Sequence, residues 1–199
     1  MIESLYAPFR RWSEQGTIWI ISDTHFGDKE LAAGINGRPS DEELLKKINS
    51  KVGKNDTFIH LGDVGDIEFA RRLKGYKVLI CGNHDIGHTE YERKIIQERY
   101  PYKDYSKEKL SSLMKEKYPN YSIIIEEVFD IYEPWHLWEV TIDNRMFDEV
   151  YSGPLVISER IILSHEPLDV LWAFNIHGHM HYNQLLLTYY DKQLLIHIE

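Results

Sequence analysis

At 199 residues, 43% of them hydrophobic, the chain is long enough to fill one core and short for two, so a single domain is expected. The net charge of −9 argues against a long, non-specific grip on nucleic acid, which needs clustered lysine and arginine, but leaves a nucleotide or a nucleic-acid end open as substrate. No stretch approaches the ~20 apolar residues of a membrane span, Met1-Ile2-Glu3-Ser4 lacks signal-peptide character, and a lone cysteine makes no internal disulfide, so the expected setting is cytoplasmic.

Thr17 to Ser22 is β-branched and aromatic, and reads as a buried strand stopping at Asp23-Thr24-His25-Phe26-Gly27-Asp28. Ser40 and Glu43 form a capping-box pattern that predicts a helix from Asp41 to about Ser50. Thr57 to Leu61 is the second strand and delivers Gly62-Asp63, Ile67 to Leu73 suits a short helix stopped at Gly75, and Tyr76 to Ile80 is the third strand. That strand runs without a gap into Cys81-Gly82-Asn83-His84-Asp85. A charged, tyrosine-rich insert is expected at about 86–134, with helix-compatible runs at Tyr91 to Tyr100 and Lys107 to Tyr118, each closed by a proline. Trp138 to Ile142, Asp143-Asn144 and Arg145 onward read as a hairpin. Arg160 to Ser164 is a strand ending in His165-Glu166-Pro167, and Phe174-Asn175-Ile176 leads into His177-Gly178-His179-Met180-His181. Leu185 to Tyr190 and Gln193 to Ile198 flank Asp191-Lys192 as a closing hairpin.

Strands that each end in a polar cluster bring those clusters to one sheet edge, where open α/β sheets bind ligands. Asp23, His25, Asp63, Asn83, His165, His179 and His181 can therefore converge. Seven oxygen and nitrogen donors exceed one tetrahedral zinc and suit two ions, with Asp63 the natural bridging carboxylate. Two divalent ions against Asp23 and Asp63 leave net positive charge, which attracts phosphate. Two metals about 3.5–4 Å apart can hold a nucleophilic hydroxide and the phosphoryl oxygens of an in-line displacement. His84, beside Asn83 and paired with Asp85, can protonate the leaving oxygen or stabilise transition-state charge.

Asp23-x-His25, Gly62-Asp63, Gly82-Asn83-His84-Asp85, His165 and Gly178-His179-x-His181 together resemble the five-part signature of the calcineurin-like metallophosphoesterase superfamily. Thr24-His25-Phe26-Gly27 and Arg38-Pro39 are most similar to its small prokaryotic and phage-like members, except that Asp28 stands where those relatives commonly carry histidine. The resemblance implies an α+β fold, a four-layer α/β/β/α sandwich of two β-sheets flanked by helices. It also implies that Asp23, His25, Asp63 and His181 hold one metal, that Asp63, Asn83, His165 and His179 hold the other, and that Asp85 orients His84.

The expected activity is hydrolysis of a phosphomonoester or phosphodiester on a small molecule or nucleotide. Two divalent ions are expected as cofactors, manganese first and iron, zinc or nickel as substitutes. A nuclease of nucleic-acid ends and a non-catalytic metal-binding scaffold are the rival functions. Arg38 offers a phosphate contact, and His177 either faces substrate or donates to backbone. His60 is expected to pack or cap, Cys81 to be a small buried hydrophobe, and Trp172 and Phe174 to belong to the core.

Overall fold

The computed structural model describes residues 11, 12, 14, 16–30, 38–85, 89–129 and 136–179, and the backbone of 193–195. Four strands form a first, wholly parallel sheet: β1 (Ile18–Ile21), β2 (Thr57–His60), β3 (Tyr76–Ile80) and β7 (Glu149–Tyr151), in the order β1-β2-β3-β7. All of β2 and nearly all of β3 is buried, which is why they read as unbroken apolar runs rather than alternating ones. The second sheet has the order β11-β10-β9-β8, from β8 (Leu155–Ser158), β9 (Ile161–Leu163), β10 (Phe174–His177) and β11 (Gln193–Leu195). In it β9, β10 and β11 run parallel, whereas β8 is antiparallel to β9 with a register shift between Val156 and Ser158.

The two sheets pack face to face. Ile59 and Leu61 from β2 and its end, Val78 and Ile80 of β3, Ile157 of β8 and Leu163 of β9 share one core cluster with Trp12. Residues of the opposite parity point outward, where Lys77 of β3 donates from Nζ to the Ala70 carbonyl of α2 (Ile67–Arg72) at 3.1 Å. Helix α1 (Asp41–Lys51) buries Leu44, Leu45 and Ile48 and is tied to α2 by Asn49, whose Nδ2 donates to the Arg72 carbonyl at 2.8 Å. The chain is thus an α+β protein built on stacked sheets with helices outside them.

The chain divides into two compact units, Met1–Glu92 with Phe147–Glu199, and Arg93–Met146. The second unit occupies the place of the expected insert, shifted from 86–134, and is mostly sheet. Here β4 (Ile95–Pro101), β5 (Ser122–Phe129) and β6 (His136–Asp143) form an antiparallel sheet in the order β4-β6-β5. Helix α3 (Lys107–Lys117) covers one face with Leu110 and Met114 against Ile125, Trp138, Val140 and Ile142.

The helix expected at Tyr91 to Tyr100 is instead a 3₁₀ turn, Thr89–Tyr91, followed by β4. Pairing decides this: Ile96 opposes Ile142, Tyr100 opposes Trp138, and Arg99 meets Glu139 at 3.2 Å, cross-strand gains that outweigh a weak helical preference. The hairpin expected around Asp143-Asn144 does not form either, because the strand after that break, β7, pairs with β3 and not with β6. Leu185 to Tyr190 lies outside the described residues, and β11 pairs parallel to β10. Leu171, Trp172 and Phe174 are exposed, at 87, 57 and 40%, so the latter two are not core residues.

The capping box at α1 is present in full, with Ser40 Oγ accepting from the Glu43 N–H and Glu43 Oε2 accepting from the Ser40 N–H at 3.0 Å. Ser40→Ala should therefore lower the unfolding free energy by about 1 kcal/mol, read as a shifted urea midpoint at unchanged slope. An unshifted midpoint would show the cap to be energetically idle.

Candidate metal centre

Parallel strands end on one side, and here the ends of β1, β2, β3, β9 and β10 carry Asp23 and His25, Asp63, Asn83, His165, and His179. Hydrogen bonds then lock the two sheets' loops together. His165 Nδ1 donates to the Leu61 carbonyl at 2.8 Å, the Gly178 N–H donates to the His165 carbonyl at 2.9 Å, and the His179 N–H donates to Asp23 Oδ2 at 2.9 Å.

Two groups of ligand atoms result, Asp23–His25–Asp63 and Asp63–His165–His179, the atoms of each lying within 4.8 Å of one another. Asp63 belongs to both. Its Oδ2 is 3.4 Å from His25 Nε2 and 3.4 Å from His165 Nε2, and its Oδ1 accepts the His84 N–H at 3.0 Å. The donor chemistry of the second group fits a cation. A carbonyl only accepts, so His165 Nδ1 carries a proton and Nε2 of the neutral ring is a lone pair. That lone pair faces Asn83 Oδ1 at 3.0 Å, His179 Nδ1 at 3.0 Å and Asp63 Oδ2, a cluster of electron-rich atoms that a metal ion or a proton must hold together. Without an ion, a proton on His165 Nε2 plays that part: burial alone would raise the Asp63 carboxyl, yet the hydrogen bond from the protonated His165 ring, the His84 N–H and the charges of the two imidazoles bring it down to about 2. Burial opposes charge on His165, but its hydrogen bond and attraction to Asp63 raise its pKa overall.

The backbone under these ligands is strained. Among the described residues, five non-glycine positions have positive φ, and four are Asp23 (55°), His25 (40°), Asp63 (57°) and His179 (68°). Left-handed backbone costs an L-residue roughly 1–2 kcal/mol and clusters where function demands it. Glycine is required beside them: a Cβ on Gly82 would sit 2.2 Å from Asp63 Oδ1, and one on Gly178 would sit 2.4 Å from Asp23 Oδ2 and 1.7 Å from Ser22 Oγ.

A family model, that of the calcineurin-like phosphoesterases, matches residues 16–196. The chain belongs to the calcineurin-like phosphoesterase family. A solved structure of similar fold is a protein of unknown function, AQ665, from Aquifex aeolicus, with a TM-score of 0.52, 20% identity, and coverage of 89% of this chain and 88% of that chain. At that identity the likeness speaks for fold alone. No curated protein matches the chain.

Within this phosphoesterase several residues stand elsewhere than the sequence suggested. Asp85 does not orient the His84 ring: its buried carboxylate accepts the N–H groups of Asp63 (2.6 Å), Gly82 (3.0 Å) and Val64 (3.1 Å). Arg38 is not free to meet a phosphate, because its Nη2 donates to the Thr24 carbonyl at 2.6 Å and to Asp41 Oδ1 at 3.0 Å. His177 takes the backbone option, its buried ring donating from Nδ1 to the Gly178 carbonyl at 2.9 Å. His84 and Asn83 are exposed, and the His84 ring stands edge-on to His25 with centroids 5.4 Å apart. Asp28 is an exposed loop residue whose Oδ1 accepts the Glu30 N–H at 3.0 Å. Cys81 is half-buried rather than the buried hydrophobe expected, and desolvation with Asp85 nearby pushes its thiol up to about 11. His181 lies outside the described residues.

His60 is fully buried, and burial, only partly opposed by Asp85 and Asp63 and reinforced by His165 and His25, depresses its pKa from 6.5 to about 4. A folded pKa below the unfolded one means that the imidazole contributes stability above pH 6.5 and loses it as pH falls through 4. For the metal-free protein this acid loss should be on the order of 3 kcal/mol larger than in His60→Gln, as read from urea melts between those pH values. Parallel pH curves for the two proteins would contradict the burial of a neutral imidazole.

Proposed function

We propose that this family member hydrolyses a small phosphorylated compound or nucleotide at a dinuclear centre in the cytoplasm. The observation that carries the reading is Asp63, a single carboxylate common to two separate groups of ligand atoms. One ion would be held by Asp23, His25, Asp63 and His181, the other by Asp63, Asn83, His165 and His179. Manganese is the first choice, and the mixed carboxylate, amide and imidazole donors also suit iron, zinc or nickel. When bound, the ions supply Lewis acidity and lower the pKa of the attacking water.

The chain's own residues do the rest. Asp63 and Asp23 neutralise half of a +4 metal charge, leaving a positive site for the phosphoryl oxygens. His84, exposed at the mouth and anchored through its N–H to Asp63, reaches the leaving oxygen as proton donor or as a stabiliser of its developing charge. The net charge of −9 favours a small phosphate over a long polyanion, since a polyanion needs a basic track that this chain does not concentrate anywhere.

Chelated protein, given manganese, should hydrolyse an aryl phosphomonoester or diester and stop when the chelator returns. His84→Ala should keep metal and lose about 10²–10⁴ in kcat, whereas Asp63→Asn should lose metal. A folded protein inert with every divalent metal, or the reverse pattern in the two variants, would sink this reading.

A further inference from the structure

His60 precedes the first ligand loops, and among the described residues its hydrogen bonds go to Thr24 and Gly62 rather than to a ligand side chain. Its Nδ1 accepts the N–H of Gly62 at 3.2 Å, so the ring's proton sits on Nε2. Nε2 is 2.9 Å from Thr24 Oγ1 and donates to it, and Thr24 Oγ1 in turn donates to the Val64 carbonyl at 2.8 Å. The ring is wholly buried and flanked by Phe58 and Phe147, with centroids 6.2 and 6.4 Å away.

Thr24 is the residue between Asp23 and His25, and Gly62 and Val64 bracket Asp63. One imidazole therefore ties together both loops that carry the shared carboxylate and its partners. Other bonds join the same two loops. Asp23, His25 and Phe26 donate their N–H groups to the carbonyls of Gly62, Asp63 and Val64 at 2.9–3.0 Å, and Asp85 takes the N–H groups of Asp63 and Val64. Gly62 N–H is the one donor of that triplet that Asp85 does not reach, and His60 supplies its acceptor. Three left-handed residues, Asp23, His25 and Asp63, sit on this pair of loops, and such backbone persists only where its surroundings hold it.

We propose that His60 is a positioning residue: acting through Thr24 and Gly62, its neutral Nε2–H tautomer holds Asp23, His25 and Asp63 in metal-binding geometry. The assignment rests on the proposed ligand set. An apolar ring of similar size would keep the packing and release both loops. Outer partners that orient ligands in this way typically contribute about 10–100-fold in metal affinity.

The test is manganese titration by calorimetry into chelated wild type, His60→Phe, Thr24→Val and the double variant, with urea melts to measure folding separately and amide exchange to follow the loops. Both single variants should remain folded, bind manganese about 10–100-fold more weakly, and exchange the Asp23, His25 and Asp63 amides faster. The double variant should be no worse than the weaker single one, because both break one connection. A folded His60→Phe with wild-type affinity, or losses that simply add in the double variant, overturns the proposal. Should His60→Phe not fold, unchanged affinity in Thr24→Val overturns it equally. A wild type that takes up no divalent metal instead removes the ligand set, and unchanged amide exchange in the variants then removes the positioning role too.

Discussion

The buried carboxylate of Asp85 accepts three backbone N–H groups, from Gly82, Asp63 and Val64, and the rest of the centre hangs on that arrangement. It binds the end of β3 to the end of β2, so the amide and imidazole of Asn83 and His84 are delivered beside Asp63 and not merely near it. Charge-assisted bonds of this kind are about twice as strong as neutral ones, and inside the protein no water competes for them. Removing the carboxylate would leave three buried donors unpaired, a larger loss than the bonds themselves.

That anchorage, with the bonds between loops, explains how four candidate ligands can occupy left-handed backbone. In a parallel sheet the strands stop together, but a side chain at an ordinary extended strand end points along the pleat, above or below the sheet. Turning the backbone at Asp23, His25, Asp63 and His179 aims their side chains into one space beyond the edge, at a conformational cost. The cost is carried by the ladder of Asp23, His25 and Phe26 onto Gly62, Asp63 and Val64, by Asp85, and by Arg38, which holds the Thr24 carbonyl from the other side. Gly82 and Gly178 are part of the same solution, because ligand carboxylates press against their backbones at distances no side chain could share.

Much of this could be read from the sequence, and for a physical reason. Buried parallel strands are continuous apolar runs, so a polar cluster at the end of each stands out, and Asp23, His25, Asp63, Asn83, His165 and His179 were all visible as such. Partner choice was not visible. Asp85 follows His84 directly and looks like its orienter, but which group a buried carboxylate serves depends on what another strand brings against it, here the N–H groups of Asp63 and Val64, 22 and 21 positions earlier. Arg38 misled for the same reason: a loop arginine near a ligand loop is a phosphate contact or a backbone clamp according to a few ångströms of tertiary placement. The second unit was misread because residues 91–100 are charged and compatible with a helix, while their pairing partner lies some 40 residues on in β6.

The arrangement also separates what is fixed from what faces solvent. Asp85, His60, Thr24 and the Arg38 guanidinium are buried or nearly so, and their polar atoms go to backbone, to one another or, for Arg38, also to the Asp41 carboxylate. Asn83 and His84 are exposed, although the peptide N–H of His84 is pinned to Asp63. Under the function proposed for His84, a group that gives a proton to a departing oxygen has to reach solvent-side substrate while its backbone stays still, and a residue at the rim of a rigid cluster meets both demands. Cys81, two residues before Asn83, is placed to do neither: its N–H is bonded to the Tyr151 carbonyl at 2.8 Å and its thiol is held protonated. The division of labour along Cys81-Gly82-Asn83-His84-Asp85 thus follows from placement: the exposed pair at the rim is free to meet substrate, and the buried acid expected to orient His84 is the anchor of the backbone instead.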